Sequence, residues 1–214
     1  MKDNILIMVS VEAEREAVWR GLRGDMRFDV RLAGVGMAAA AASTAFALAE
    51  GKYGLVVSAG IAGGFAGQAG IGDIVVATEI VAADLGSETA DGMLTLDELG
   101  FGSSRVPVDG QLALRTAAAM QAAGMQAKAG PVLTVATATG TAESARRLAE
   151  RVPGAAAEGM EGYGVAVAAR QLALPVLEVR AVSNAVGPRD KSAWRIKDAL
   201  ASLERACGIL TEVL

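Results

Sequence analysis

Ile5-Leu6-Ile7-Met8-Val9 is the stretch that decides the fold. A continuous apolar run, with no polar residue at alternate positions, is the pattern of a central strand covered on both faces. Ser10 is placed to cap the helix that follows, whose inward face would carry Val11, Val18 and Leu22. Phe28, Val30 and Leu32 then alternate with Asp29 and Arg31, as in a half-exposed strand. Further strands read at Leu55–Gly60, Gly72–Ala77, Val132–Ala136 and Pro175–Val182. Between them fall helical segments at about 39–49, 112–123 and 143–151, and Leu200, Leu203, Cys207, Leu210 and Leu214 recur at helical spacing in a final helix. Strands alternating with helices, without linker, repeat or low-complexity segment, predict one α/β domain over residues 1–214.

Composition narrows the function. Apolar residues make up 52% of the 214 and charged residues 21%, which excludes a disordered chain. Twenty basic residues against 24 acidic give a net charge of −4 with no Lys/Arg cluster, so nucleic acid and anionic membranes have no electrostatic partner here. The uncharged stretches 32–49 and 54–72 are mostly Ala and Gly and read as packed elements, not membrane spans. A single cysteine, Cys207, forms no internal disulfide and fits a reducing cytoplasm. Lys2 and Asp3 before a short apolar run that soon meets Glu12 do not match a signal peptide. The chain has no histidine, which removes Ser-His-Asp and Cys-His mechanisms and histidine-based zinc sites. Acid–base chemistry falls to carboxylates, substrate or water.

Candidate site residues cluster at strand ends, where open α/β sheets hold ligands. Glu12, Glu14 and Glu16 lie in the first turns of the first helix. Gly34-Val35-Gly36-Met37 resembles a dinucleotide fingerprint, but the next strand closes on small residues instead of an acid that would hold a ribose. It reads as backbone packing beside a small ligand. Gly60-Ile61-Ala62-Gly63-Gly64 reads as a glycine-rich loop, either a tight turn or a place where a ligand meets bare backbone. Residues 83–105 read as one long, mixed loop carrying Asp84, Glu88, Asp91, Asp97, Glu98 and Phe101. Thr137-Ala138-Thr139-Gly140-Thr141 is hydroxyl-rich and fit to line a pocket. In Ala157-Glu158-Gly159-Met160-Glu161-Gly162-Tyr163-Gly164 a strand turns into a helix at Glu161. A carboxylate there is favoured by the helix N-terminus and can accept from two neighbouring hydroxyls; the plain alternative is a surface glutamate. Asn184 ends the last strand.

Together these segments resemble the nucleoside phosphorylase/hydrolase superfamily, over almost the entire length. The likeness rests on Val11-Glu12-Ala13-Glu14, on 59–64 with Gly72-Asp73-Ile74-Val75, on Met160-Glu161-Gly162 and on Arg180-Ala181-Val182-Ser183-Asn184. Within the superfamily, 83–89, 96–101 and Val186-Gly187-Pro188-Arg189-Asp190 with Trp194 resemble the futalosine hydrolases. The resemblance implies a three-layer α/β/α sandwich with a mixed central sheet. It also implies a purine nucleoside as substrate, a homo-oligomer, and no metal or organic cofactor. It makes Glu14 and Asn184 the catalytic candidates, Glu14 as the activator of water. Gly60, Ile61, Ala138, Thr139, Met160, Glu161 and Arg189 become the substrate-binding ones, with Glu161 on the ribose hydroxyls and Met160 on the sugar's apolar face. Adenine nucleosidases carry Asp where this chain has Asn184; an amide NH₂ donates to a six-position carbonyl, which favours a 6-oxopurine. Phosphorolysis, another purine nucleosidase activity and a non-catalytic nucleoside-binding module stay open as alternatives.

Overall fold

The first strand, β1 (Asn4–Val9), sends its side chains into two separate cores. Ile5, Ile7 and Val9 enter one apolar cluster, and Leu6 and Met8 enter the other, as the period of two along a strand requires. The computed structural model describes residues 4–90 and 92–214. The expectations that involve Lys2, Asp3 and Asp91 fall outside those residues. In chain order β1 is followed by α1 (Glu12–Leu22), β2 (Phe28–Leu32), α2 (Met37–Glu50), β3 (Tyr53–Gly64) and β4 (Ile74–Ala82). A hairpin of β5 (Gly86–Thr89) and β6 (Gly92–Thr95), a short α3 (Leu96–Leu99) and β7 (Arg105–Pro107) come next. The remainder is α4 (Gly110–Ala122), β8 (Ala127–Thr134), α5 (Ala142–Arg151), β9 (Ala157–Gly159), α6 (Gly162–Gln171), β10 (Val176–Ala185) and α7 (Ile196–Val213).

Helices α1, α4 and α7 cover one face of the sheet through Ala17, Val18, Leu22, Ala113, Met120, Leu203, Cys207 and Leu210. On the opposite face α2 and α6 pack with Ala40, Ala47, Leu48, Val165, Ala166 and Ala169. The chain is thus an α/β sandwich, as its apolar runs imply. The sheet is mixed. β1 pairs in parallel with β2 and β3, β3 with β10, and β4 with β8, whereas β10–β4 and β3–β9 are antiparallel. Because β9 pairs with both β8 and β3, the pairings β3–β10–β4–β8–β9–β3 close into a ring. Among the described residues no helix is long and apolar enough to cross a membrane.

Three local expectations are corrected. Residues 60–64 are not a loop: β3 runs through Gly64, because β10 pairs along one of its edges and β9 along the other. Residues 83–105 hold the β5–β6 hairpin, α3 and the start of β7 in place of one irregular loop. Ser10 does not cap α1. Val11 takes the N-cap position, and the Glu14 carboxylate reaches back to accept from the Ser10 and Val11 amides. Val11 itself is exposed.

Gly164 lets α6 pack close against α2: a Cβ there would fall well inside van der Waals contact distance of the Met37 carbonyl oxygen. Gly164→Ala is expected to destabilise the fold by about 1–3 kcal/mol through overpacking. Gly110→Ala, at the start of α4 where a Cβ meets nothing within 4 Å, should instead stabilise by about 0.4–1 kcal/mol. Urea unfolding midpoints of the two variants check both signs.

Candidate active site

Glu14, Glu161 and Asn184, chosen from distant parts of the sequence, line one cavity of about 420 Å³. It opens where the C-terminal ends of β1, β3 and β10 meet β9 and the start of α6. Val35, Ile61, Ala138, Thr139, Met160 and Arg189 also line it. Gly60 does not. It lies beneath Glu14, and a Cβ there would stand 2.6 Å from Glu14 Oε1 and 2.7 Å from Arg180 Nη1. Its missing side chain leaves room for the Glu14 carboxylate and the Arg180 guanidinium.

Glu14 is 2% exposed and held by four donors. Its Oε2 accepts from Ser10 N (2.9 Å), Ser10 Oγ (2.5 Å) and Val11 N (3.2 Å), and its Oε1 accepts from Ile61 N at 2.8 Å. The first turn of α1 and the β3 backbone therefore fix one orientation of the carboxylate. Glu161 occupies the N-cap position of α6 and is buried rather than at the surface. It accepts from Gly36 N at 3.2 Å and Met160 N at 3.3 Å. So the Gly34-Val35-Gly36 turn contributes a backbone donor to Glu161, and Val35 lines the cavity wall.

Behind both glutamates lies Arg180, 1% exposed in the middle of β10. Its Nε donates to Glu178 Oε1 at 2.7 Å, its Nη2 to Ser58 Oγ at 3.1 Å, and its Nη1 stands 3.5 Å from Glu161 Oε2. Burial works to lower the arginine's pKa, but the fields of Glu178, Glu161 and Glu14 outweigh it and hold the value above normal. Burial pushes the Glu178 carboxyl up against the opposing pull of Arg180. Glu178 and Arg180 carry a sequence signal of their own: two charges two residues apart, hence on one face, inside an apolar strand.

The site also contains one carboxylate to which the sequence pattern assigns no role. Glu158, on β9, is 8% exposed and lines the cavity. Thr139 donates to it through its amide (2.9 Å) and its hydroxyl (2.5 Å). Burial raises the Glu158 carboxyl, with those two hydrogen bonds opposing. Asn184 accepts from Ser183 Oγ at 2.7 Å and donates from Nδ2 to Ala185 O at 2.9 Å. Arg189 lies over the Trp194 ring, 5.2 Å from its centroid, at the exposed mouth.

A family model described as the phosphorylase superfamily matches residues 10–214. Futalosine hydrolase from Streptomyces coelicolor is 50% identical, over 99% of this chain and 96% of that protein. The chain belongs to the phosphorylase superfamily, among its futalosine hydrolases. The protein of that name from Thermus thermophilus is 35% identical, covering 88% of this chain and 82% of its own. Membership makes the chain a hydrolase of the nucleosidase type. Two solved structures share the fold. The 5′-methylthioadenosine/S-adenosylhomocysteine nucleosidase from Neisseria meningitidis, in complex with methylthio-immucillin-A, superposes with a TM-score of 0.86 at 21% identity, covering 100% of both chains. Futalosine hydrolase of Helicobacter pylori gives 0.85 at 16% identity, covering 100% of this chain and 99% of the other.

Arg180→Met strands the buried Glu178 and Glu161 without their cation. It is expected to cost about 3–5 kcal/mol of stability. The double variant Glu178→Leu/Arg180→Met should recover part of that loss, and denaturant unfolding of the two proteins measures the difference.

Proposed function

We propose that this protein hydrolyses the N-glycosidic bond of futalosine, releasing hypoxanthine and dehypoxanthine futalosine, a step of menaquinone biosynthesis. The observation that carries the reading is the convergence of Glu14, Glu161 and Asn184 on one cavity. Glu14 is the general base. It takes a proton from water as the water oxygen bonds to C1′, and the C1′–N9 electron pair leaves with the base. The bond breaks through an oxocarbenium-like state, whose positive charge a nearby carboxylate stabilises. Glu161 accepts from the ribose hydroxyls, and Met160 packs on the apolar face of the sugar.

Asn184 holds the base. Its Oδ1 is engaged by the Ser183 hydroxyl and one N–H of its Nδ2 by Ala185 O, so the second N–H is the donor left for N7 and the six-position carbonyl to share. An amide has no acid proton to give, so it activates the leaving base by hydrogen bonding, and water supplies the proton. Ile61, Ala138 and Thr139 form the adjoining walls. Arg189 on Trp194 meets the carboxylate of the enlarged 5′ substituent at the mouth.

Water is favoured over phosphate as acceptor. A phosphorylase needs free cationic donors beside the sugar. Arg180 is buried and committed to Glu178, Ser58 and Glu161, and Arg189 stands at the cavity mouth. The proposed setting is a cytoplasmic homo-oligomer acting on a small molecule, not on nucleic acid or membrane. Val35 at the cavity rim and Phe46 on α2 are 59% and 73% exposed, apolar side chains that a second copy would cover. Light scattering should return a mass above that of one chain.

Chromatography of products from futalosine, inosine and methylthioadenosine, each with and without phosphate, tests the reaction. Hypoxanthine released from futalosine at a rate independent of phosphate is the expected result; a phosphate requirement and a sugar phosphate product would make the enzyme a phosphorylase. Glu14→Gln should retain substrate binding but lose about 10²–10⁴-fold in kcat. Glu161→Gln should raise KM as well. Asn184→Asp should lose activity on the 6-oxopurine, and steady-state kinetics of the three variants separates these effects.

A further inference from the structure

Glu178 is charged, fully buried in β10 and outside the cavity, and the reaction gives it no task. Among the described residues its Oε2 has no hydrogen-bond partner, a costly state for a carboxylate oxygen out of water. Across the β3–β10 pairing Glu178 stands opposite Ser58 and Arg180 opposite Gly60, so all four share one face of the sheet. Three glycines keep that slot clear. A Cβ at Gly162, the first residue of α6, would overlap both Glu178 carboxylate oxygens. One at Gly159 would stand 3.3 Å from Arg180 Cζ and 3.4 Å from its Nε, and Gly60 borders Nη1 from β3.

What the slot fixes is a distance. Two bonds draw the guanidinium back: Nε to Glu178 Oε1 at 2.7 Å, the length of a charge-assisted pair, and Nη2 to Ser58 Oγ at 3.1 Å. Nη1 is left 3.5 Å from Glu161 Oε2, outside ordinary hydrogen-bond range. Glu161 accepts from the Gly36 and Met160 amides. A carboxylate has about four acceptor positions, so about two remain for a ligand. A guanidinium released by Glu178 would be drawn onto Glu161 and Glu14, the other carboxylates whose fields reach it. At hydrogen-bond distance it would fill one of the positions that Glu161 keeps open.

We propose that Glu178 is a positioning residue for sugar recognition: by holding Arg180 at Nε it keeps the guanidinium off Glu161, whose open acceptor positions then meet the ribose hydroxyls. The proposal rests on the reading of Glu161 given above and extends it to a residue behind the cavity that touches no ligand. Ser58 shares the task through Nη2.

Titration calorimetry tests it without relying on turnover, using the full chain with hypoxanthine and with formycin B, a C-nucleoside that joins ribose to a hypoxanthine-like base through a carbon–carbon bond. Glu178→Gln keeps the shape of the side chain and removes its charge, and Glu161 and Glu14 still compensate the buried cation. The variant is expected to bind formycin B about 10- to 100-fold more weakly, the range for losing a hydrogen bond to a charged group. Its affinity for hypoxanthine should stay within about twofold of the wild type, because the base is held at Asn184, far along the strand. A merely structural role would lower both affinities in proportion, and an idle Glu178 would change neither. Either result leaves the ratio of the two affinities at its wild-type value and overturns the proposal. Ser58→Ala, a smaller change, decides the matter if Glu178→Gln does not fold. It should weaken formycin B about 2- to 10-fold and spare hypoxanthine, and an unchanged ratio there is equally fatal. A shifted ratio in a protein that releases no base from any nucleoside would sink the hydrolase reading alone. Failure to bind either ligand would sink both.

Discussion

The guanidinium of Arg180 is the interaction on which the site depends. A cation in the middle of a β-sheet is costly unless its donors and its charge are both met. Here β10 supplies Glu178 from two residues away, β3 supplies Ser58, and the N-terminus of α6 supplies Glu161. One residue thus ties three elements together and gives the carboxylates at the cavity floor a common counter-charge. Its directional donors fix Glu178 and Ser58, and its charge stands 3.5 Å from Glu161 Oε2. A hydrophobic core contact would hold the same elements without fixing an oxygen atom.

That arrangement separates two jobs that an exposed arginine would combine. Arg180 meets Glu161 from behind, and Glu161 lines the cavity. Glu14 reaches the same end by another route, with its donors coming from backbone amides and a serine hydroxyl. Both glutamates are preorganised by backbone amides, to which Glu161 adds a charged partner and Glu14 a serine hydroxyl. Little reorganisation is left for the moment at which charge moves.

How much of this could be read from the residues follows from the range over which each signal acts. The unbroken run Ile5–Val9 announces a doubly covered strand because burial on both faces leaves a mark on every position. Glu161 at the start of α6 was legible for a similar reason: a strand of small residues ending before a helix places one side chain at one spot. Gly60–Gly64 misled, since glycines suit turns as well as crowded strands, and only the partners on both edges decide between them. Those partners lie about a hundred residues onward. Ser10 misled by one position, because the reach of Glu14 back over the first turn competes with a serine cap and wins. Glu158 stood three residues before a recognised site residue and was passed over. Its burial comes from the antiparallel step of β9 beside β3, which no local pattern encodes. The closure of the sheet into a ring was equally invisible, being a property of pairings alone.

The ring has a consequence for the order in which the molecule can be made. A chain emerging from the ribosome presents β1, α1 and β3 early, so Glu14 and its backbone donors are available while most of the polypeptide is still missing. The gap between β3 and β4 is filled only by β10, within the last forty residues or so. Until that strand arrives, Glu161 has no cation, Gly63 has no neighbour on one edge, and the face that α7 covers is open to solvent. Nascent chains therefore carry an exposed pair of strand edges for most of their synthesis, the form most open to pairing with another chain. The cavity comes into being in one late step. An arrested or truncated product has no partial version of it.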